Sequence, residues 1–208
     1  IILSSYASTL AQRFSRSVRN LLGSSSFQAI FADTVLARDS RSTWAWDIRG
    51  RNGGMIAAGA GSGITGHGAD LLIIDDPIKD AQEASSSLIR QRLWDWYTTT
   101  AYTRLHPGGA VLVIATRWHE DDLTGRLLSH SAEDADEWTT LHFPALDEND
   151  NALWPERYPA EELLRIKASV GNRAWNALYQ GAPVPFEGNM FNRAWFDIVD
   201  AIPAGCRY

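Results

Sequence analysis

At 208 residues the chain is long enough for one sizeable domain, or for one domain and an appendage. Hydrophobic residues make up 45%, which excludes a disordered chain, and the formal net charge of −6 excludes a surface that attracts nucleic acid as a whole, so any DNA contact has to be a local patch or come from elsewhere. The one cysteine, Cys206, excludes an internal disulfide and suggests a reducing compartment, and no run of about 18 apolar residues exists to span a membrane.

In chain order, residues 1–6 read as a buried strand. The chain opens on Ile1-Ile2-Leu3 and stops just after the turn-like Ile202-Pro203-Ala204-Gly205, and both ends read as cut from a longer protein. Ser8 to Leu22 reads as a helix, with Leu10, Phe14, Val18 and Leu21 spaced on one face, and Gly23 with three serines stops it. Thr43 to Ile48 alternates as a strand does, and Met55 to Ala58 suits its hairpin partner. Gly59 to Gly68 is glycine-rich but lacks the lysine of GxxxxGK[ST], and it precedes a strand instead of opening a helix. It reads as a flexible loop beside a site, not as a phosphate cradle. No GxxxxGK[ST] occurs anywhere in the chain.

Leu71-Leu72-Ile73-Ile74 runs straight into Asp75, Asp76 and Pro77. A continuous apolar run predicts a strand buried on both faces, and the proline turns the chain away. Asp75 and Asp76 then sit at the carboxyl end of a central strand, where open α/β sheets bind ligands. In nucleotide-hydrolysing folds this is the Walker B position, with the first carboxylate at the magnesium shell and the second orienting or deprotonating the attacking water. The alternative is an acidic turn after a core strand. Glu83 to Leu105 reads as one long helix broken by Pro107-Gly108-Gly109, Ala110 to Ala115 as a second buried strand, and Asp121 to Ser129 as a short helix. This order predicts a parallel sheet holding 1–6, 71–75 and 110–115, with the last two adjacent. After Trp138, residues 139–143 suit one more strand, and Pro159 to Ala168 and Asn172 to Gln180 suit two helices. Pro183 and Pro185 suit an extended lead to Gly188.

Thr116 and Arg117 follow the second strand. A hydroxyl at a strand tip beside Walker B can follow a γ-phosphate or its attacking water; otherwise Thr116 is a helix cap or loop residue. Arg117 suits phosphate or a neighbouring subunit, or else a salt bridge to nearby carboxylates. His119-Glu120-Asp121-Asp122 offers metal-type ligands, but consecutive side chains do not face one point, and an acidic first turn complements a helix dipole unaided.

Several segments together resemble the large terminase subunit of tailed bacteriophages or prophages. They are Ser5-Tyr6-Ala7 with Phe14-Ser15-Arg16, Gly63-Ile64-Thr65-Gly66, LLIIDDPIKD at 71–80 and ATRWHEDDLTGRLL at 115–128. Leu153-Trp154-Pro155-Glu156-Arg157 and Ala177-Leu178-Tyr179-Gln180 continue the match. The resemblance implies a DNA-packaging motor pairing a P-loop ATPase of the additional-strand class with an RNase H-type endonuclease. It implies a three-layer α/β sheet, partial here, with a small mostly helical subdomain after it. Laid on that plan, 1–145 is a partial ATPase core, 146–188 a linker subdomain and 189–208 the start of the nuclease. The cofactors implied are ATP and Mg2+, with Asp75 at the metal and Asp76, Thr116 and Arg117 as catalytic and coupling residues. The partners implied are double-stranded DNA, a portal protein, a small terminase subunit and further copies in a ring, in the host cytoplasm and at the procapsid. Asp76 departs from the glutamate often found there, and His67 stands near a place where the family often has arginine. Two rival readings remain. A metal-dependent nuclease or hydrolase built on Asp75, Asp76, His119 and Asp122 requires those groups to converge. A non-catalytic interaction module requires an exposed aromatic patch, whereas a motor piece requires exposed apolar surface along the sheet edge.

Overall fold

A computed structural model describes residues 1–130 and 136–184; the expected nuclease start at 189–208 and the stretch from Pro185 to Gly188 lie outside them. Six strands form one sheet: β1 (Ile2–Ser5), β2 (Leu36–Arg41), β3 (Ala45–Ile48), β4 (Gly54–Gly59), β5 (Ala69–Asp75) and β6 (Leu105–Ile114), in the order β2-β3-β4-β1-β5-β6. β4, β1, β5 and β6 are parallel, and β3 and β2 continue the sheet antiparallel. The three expected parallel strands are present, with β5 beside β6.

Alternation along β1 divides the core. Ile2 joins Leu72 and Ile74 on one face, beneath α3 (Ala81–Ser85), α4 (Ser87–Trp96) and α5 (Leu123–Ser129). Leu3 joins Met55 and Ala57 on the other, beneath α1 (Ser8–Leu22) and α2 (Ser25–Ile30). This is the three-layer α/β arrangement, in partial form.

α1 has the expected bounds but not the expected buried face. Ala11, Ser15 and Leu22 meet the sheet, while Phe14, Val18 and Leu21 are exposed, Leu21 by 57%. Small residues let the helix approach closely enough for the Trp46 indole N–H to donate to the buried Ser15 hydroxyl at 2.9 Å. β6 is likewise not the buried strand its sequence suggests. It is the sheet edge, and Leu112 and Ile114 are about half exposed (47% and 50%) on the α1 side, because no helix of the described residues lies over β6 there.

The expected single helix from Glu83 to Leu105 is divided. Ser86 adopts an extended conformation between α3 and α4, and its hydroxyl accepts from the Ile89 amide. Asp80 and Glu83 form a reciprocal cap: Asp80 accepts from the Glu83 amide at 2.9 Å and Glu83 from the Lys79 amide at 3.0 Å. After Trp96 the chain widens into a π-turn (Tyr97–Ala101), which lets Trp96, Tyr97 and Ala101 all reach the core.

The expected strand at 139–143 is not formed: Leu141 and Phe143 are exposed, and no strand among the described residues pairs with this segment. Further on, Leu146, Leu163 and Trp175 form a separate core beneath α6 (Ala160–Ala174). The two expected helices are present, divided at Gly171, whose φ of 80° places it in the left-handed region and breaks the helical run, and the second widens into a π-turn (Trp175–Tyr179). Gln180 clasps Leu146 twice, accepting from its amide and donating to its carbonyl.

The Trp46–Ser15 bond yields a stability test. Ser15→Ala leaves a buried indole N–H unpaired and should lower unfolding free energy by about 1–3 kcal/mol in urea titration. Ser17→Ala, on an exposed position of the same helix, should change it by less than about 0.5 kcal/mol.

Candidate active site at the strand tips

The carboxyl ends of β1, β5 and β6 meet at Asp76. Its amide donates to the Ile114 carbonyl at 2.8 Å, and its carbonyl accepts from the Tyr6 amide at 3.0 Å. Its Oδ1 accepts from the Thr116 amide at 2.7 Å. To make all three bonds Asp76 takes φ +41°, a left-handed conformation that few residues other than glycine adopt, though aspartate does so more readily than most. Thus the second acid of the strand-end pair touches the first residue of interest after β6. Oδ2 of Asp76 makes no bond among the described residues.

Asp75 lies in register with Ser5 on one side and Ile114 on the other. Burial pushes its carboxyl above the usual carboxylate range, and the adjacent Asp76 charge adds to the push. The Ser5 hydroxyl beside it is fully buried with no hydrogen-bond partner. Thr116 lines a narrow crevice with Pro77, Trp118, Leu123 and Thr124, of only about 10 Å³. It does not cap a helix: the N-cap of α5 is Asp122, which accepts from the Gly125 amide at 2.9 Å.

The segment after Thr116 is a clasp. Arg117 donates to Asp122 at 2.8 Å, and Asp122 is almost fully buried. Burial pushes the Asp122 carboxyl upward, while the Arg117 guanidinium and the Gly125 amide pull it down. Asp121 accepts two bonds from Arg126 and one from Arg90, joining α5 to α4. The Arg126 hydrogen bonds, aided by Arg90, hold the Asp121 carboxyl at about 2. His119 accepts from the Asp121 amide through Nδ1, and burial, with Arg90 nearby, lowers its pKa. Gly125 is obligatory here, because a Cβ would overlap the Glu120 carbonyl.

The structure therefore brings Asp75, Asp76 and Thr116 together and places Arg117 on Asp122. His119 and Asp122 are committed to local bonds, and among the described residues no group of three His, Cys, Asp or Glu side chains could hold a metal. That disfavours the hydrolase rival. The Gly59–Gly68 loop is pinned by buried Ile64 and by the Trp96 indole on the Ser62 carbonyl. Sequence reasoning missed Ser5 and the Asp80–Glu83 cap; D-x-x-E before an apolar run was the available signal for the latter. The exposed tryptophans Trp44 and Trp154 stand on separate segments.

A mostly parallel α/β sheet with an acidic pair at the tip of β5, one strand in from the edge, bonded to the Thr116 amide beyond β6, makes a partial P-loop-type fold. The family model of the N-terminal part of terminase large subunits of the T4-like virus type matches residues 1–198. The chain belongs to this family of viral DNA-packaging proteins. No curated protein matches it.

Two measurements test the clasp. Arg117→Ala strands a buried carboxylate and should cost about 3–5 kcal/mol in denaturant titration. Asp121 is ionised in the fold at pH values where the unfolded group, near 4, binds a proton. Its contribution is therefore complete above about pH 4 and lost as pH falls toward 2. The wild type should lose more stability than Asp121→Asn over that window, by a modest amount because the side chain is 42% exposed.

Proposed function

We propose that this chain is part of an ATP-hydrolysing motor subunit that drives double-stranded DNA into procapsids, with Asp75, Asp76 and Thr116 at its hydrolytic centre. The observation that carries this reading is the uncovered surface beside those residues. Among the described residues β6 is an unpaired edge whose regular part, 110–114, is apolar throughout, and such an edge invites another strand. On the α1 side of β5 and β6, Leu112 and Ile114 are exposed with no helix of the described residues above them, while Ile73 is partly buried at the border of the α1 core. Gln12 and Arg19 of α1 reach toward the β2–β3 side. The helical positions of Leu10, Phe14, Val18 and Leu21 therefore turn the apolar stripe of α1 the other way, toward that bare sheet.

An edge that wants a strand and a trough that wants an amphipathic helix together fit one strand–helix unit from outside these residues. If its strand runs parallel to β6, the loop joining strand to helix falls at the tips, facing Asp75. That is where a phosphate-gripping loop belongs. Against the interaction-module rival stands the apolar exposure of Leu112 and Ile114 along the sheet edge, where a motor piece requires it.

Magnesium suits the donor set at Asp75. A hard cation that keeps most of its waters needs only one or two carboxylates, and the unpartnered Ser5 hydroxyl in register beside Asp75 offers another oxygen. When bound, the ion neutralises charge on phosphate oxygens. Asp75 anchors its water shell. Asp76, with Oδ1 held by Thr116, offers Oδ2 to orient the attacking water and accept its proton. The backbone of Thr116 rides on Asp76, so a shift of that carboxylate on phosphate loss pulls directly on the chain leading into α5. Arg117 serves by fixing this segment through Asp122. The endonuclease, the portal and small-subunit contacts, the homo-oligomeric ring and the place in the host cytoplasm belong to the same proposal through the family.

In a protein carrying the strand–helix unit, Asp76→Asn keeps an oxygen for the Thr116 amide but cannot take a proton. It should reduce ATP turnover by at least about a hundredfold with nucleotide binding retained. Asp75→Asn should instead weaken magnesium–nucleotide binding. Thr116→Val keeps the amide bonded to Asp76 but removes the hydroxyl proposed to follow the γ-phosphate, and should leave binding and some hydrolysis but uncouple packaging. Turnover unchanged in Asp76→Asn would remove the reading.

A further inference from the structure

Charge is distributed very unevenly along the chain. Residues 1–59 hold seven arginines, three aspartates and no lysine or glutamate, while the remainder holds 12 cations against 22 carboxylates. The ion pairs among the described residues all lie in the remainder: on Asp70, Asp80, Asp121, Asp122 and Glu162. None of the seven N-terminal arginines has a carboxylate partner there. Unpaired like charges held together on a rigid element repel one another, and they are relieved by an anion from outside.

Three of these residues lie along one flank of the helix and the strand it faces. On α1, Arg16 lies one turn from both Gln12 and Arg19, so the three share a flank. That flank faces β2 and β3, because Gln12 meets Thr43 at 3.4 Å and Arg19 donates to the Arg41 carbonyl. Arg41 stands opposite Trp46, whose indole reaches α1, so Arg41 projects to the same side of the sheet. Between helix and strand lies an open cleft of about 490 Å³ lined by Arg19, Asn20, Gly23, Leu36 and Arg41. Arg13 is exposed on the crest of α1, opposite the buried Ala11–Ser15–Leu22 line.

We infer that this flank of α1 and the facing edge of β2 form a surface for the phosphate backbone of duplex DNA, gripped by Arg16, Arg19 and Arg41 with Arg13 at the rim. Every cation in the patch is arginine, whose planar fork matches phosphate oxygens bidentately where lysine offers a point charge. The cleft is open and its charged lining is arginine, which suits phosphate oxygens, so the surface is assigned to backbone and not to sequence. That suits a protein that must hold any DNA it moves. The choice of DNA among polyanions rests on the packaging reading; the surface itself rests on charge and geometry. It lies on the opposite flank of α1 from the trough proposed for the strand–helix unit, so both can be occupied at once.

The test is duplex binding by the 208-residue chain, followed by fluorescence anisotropy from about 50 to 200 mM salt. Arg16→Ala combined with Arg41→Ala should weaken binding at least tenfold at the low end. It should also lower the slope of log K against log salt by about two, one for each phosphate no longer neutralised. Arg19 is left in place because it braces the Arg41 carbonyl. Arg16→Lys with Arg41→Lys should keep the slope, and Arg165→Ala, on α6, should change nothing. An unchanged slope in the double alanine variant would overturn the assignment, as would no measurable duplex binding by the wild type. Equal binding to polyglutamate of matched charge would overturn it in favour of an acidic protein. None of these outcomes bears on ATP turnover, and loss of the Asp76 role would leave this surface untouched.

Discussion

The strand-tip arrangement depends on the three bonds made by Asp76. Its amide and carbonyl tie β6 and the end of β1 to β5, and its carboxylate holds the amide of Thr116. A residue that ends a strand normally gives its backbone to one neighbour; this one serves two and adds its side chain. The left-handed conformation is what turns the carboxylate across to β6, and strain kept at a ligand-facing strand end is a mark of function more often than of accident. With Asp76 so fixed, Asp75 is left on the opposite side of the sheet plane from the packed helices α4 and α5, beside the uncovered face.

Two apolar patterns that look misplaced in isolation are explained by this open face. The stripe from Leu10 to Leu21 is a good amphipathic pattern, yet the sheet meets Ala11 and Ser15 instead. The strand AVLVI is apolar at every position, yet half of it lies exposed. Each makes sense if both faces of both elements are covered in the working subunit. The mixed sheet edge at β2 and β3 is finished differently, with short strands, a bulge and charged residues. One edge of the sheet thus carries charged residues, while the other is apolar from Ala110 to Ile114, after the register shift at 106–109.

Much of this was legible in the sequence, for particular reasons. Continuous aliphatic runs mark parallel strands because both faces meet helices, and LLIIDDP and AVLVIA were therefore readable along with their adjacency. What the runs cannot tell is whether both faces are covered within the same 208 residues. β2 was not readable: Leu36-Ala37-Arg38-Asp39-Ser40-Arg41 has little strand propensity and is ordered by pairing with β3. The division of α3 from α4 rests on the Ser86 backbone, and the segment 139–143 looked strand-like only because its apolar residues alternate. At the strand tips, the juxtaposition of the acidic pair with Thr116 was readable from position. The role of Arg117 as partner to buried Asp122 was one of two open options that only packing could separate. Charge asymmetry was hidden by the acidic total.

The central claim is that the β6 edge and the face beside Asp75 are a seat for a strand–helix unit. Amide hydrogen exchange on β6 tests it most directly, in the 208-residue chain and in a protein extended to carry such a unit. The account predicts that the β6 amides pointing away from β5 exchange freely in the first and slow markedly in the second, with the α1 stripe protected in parallel. Equally fast exchange in both proteins would contradict it.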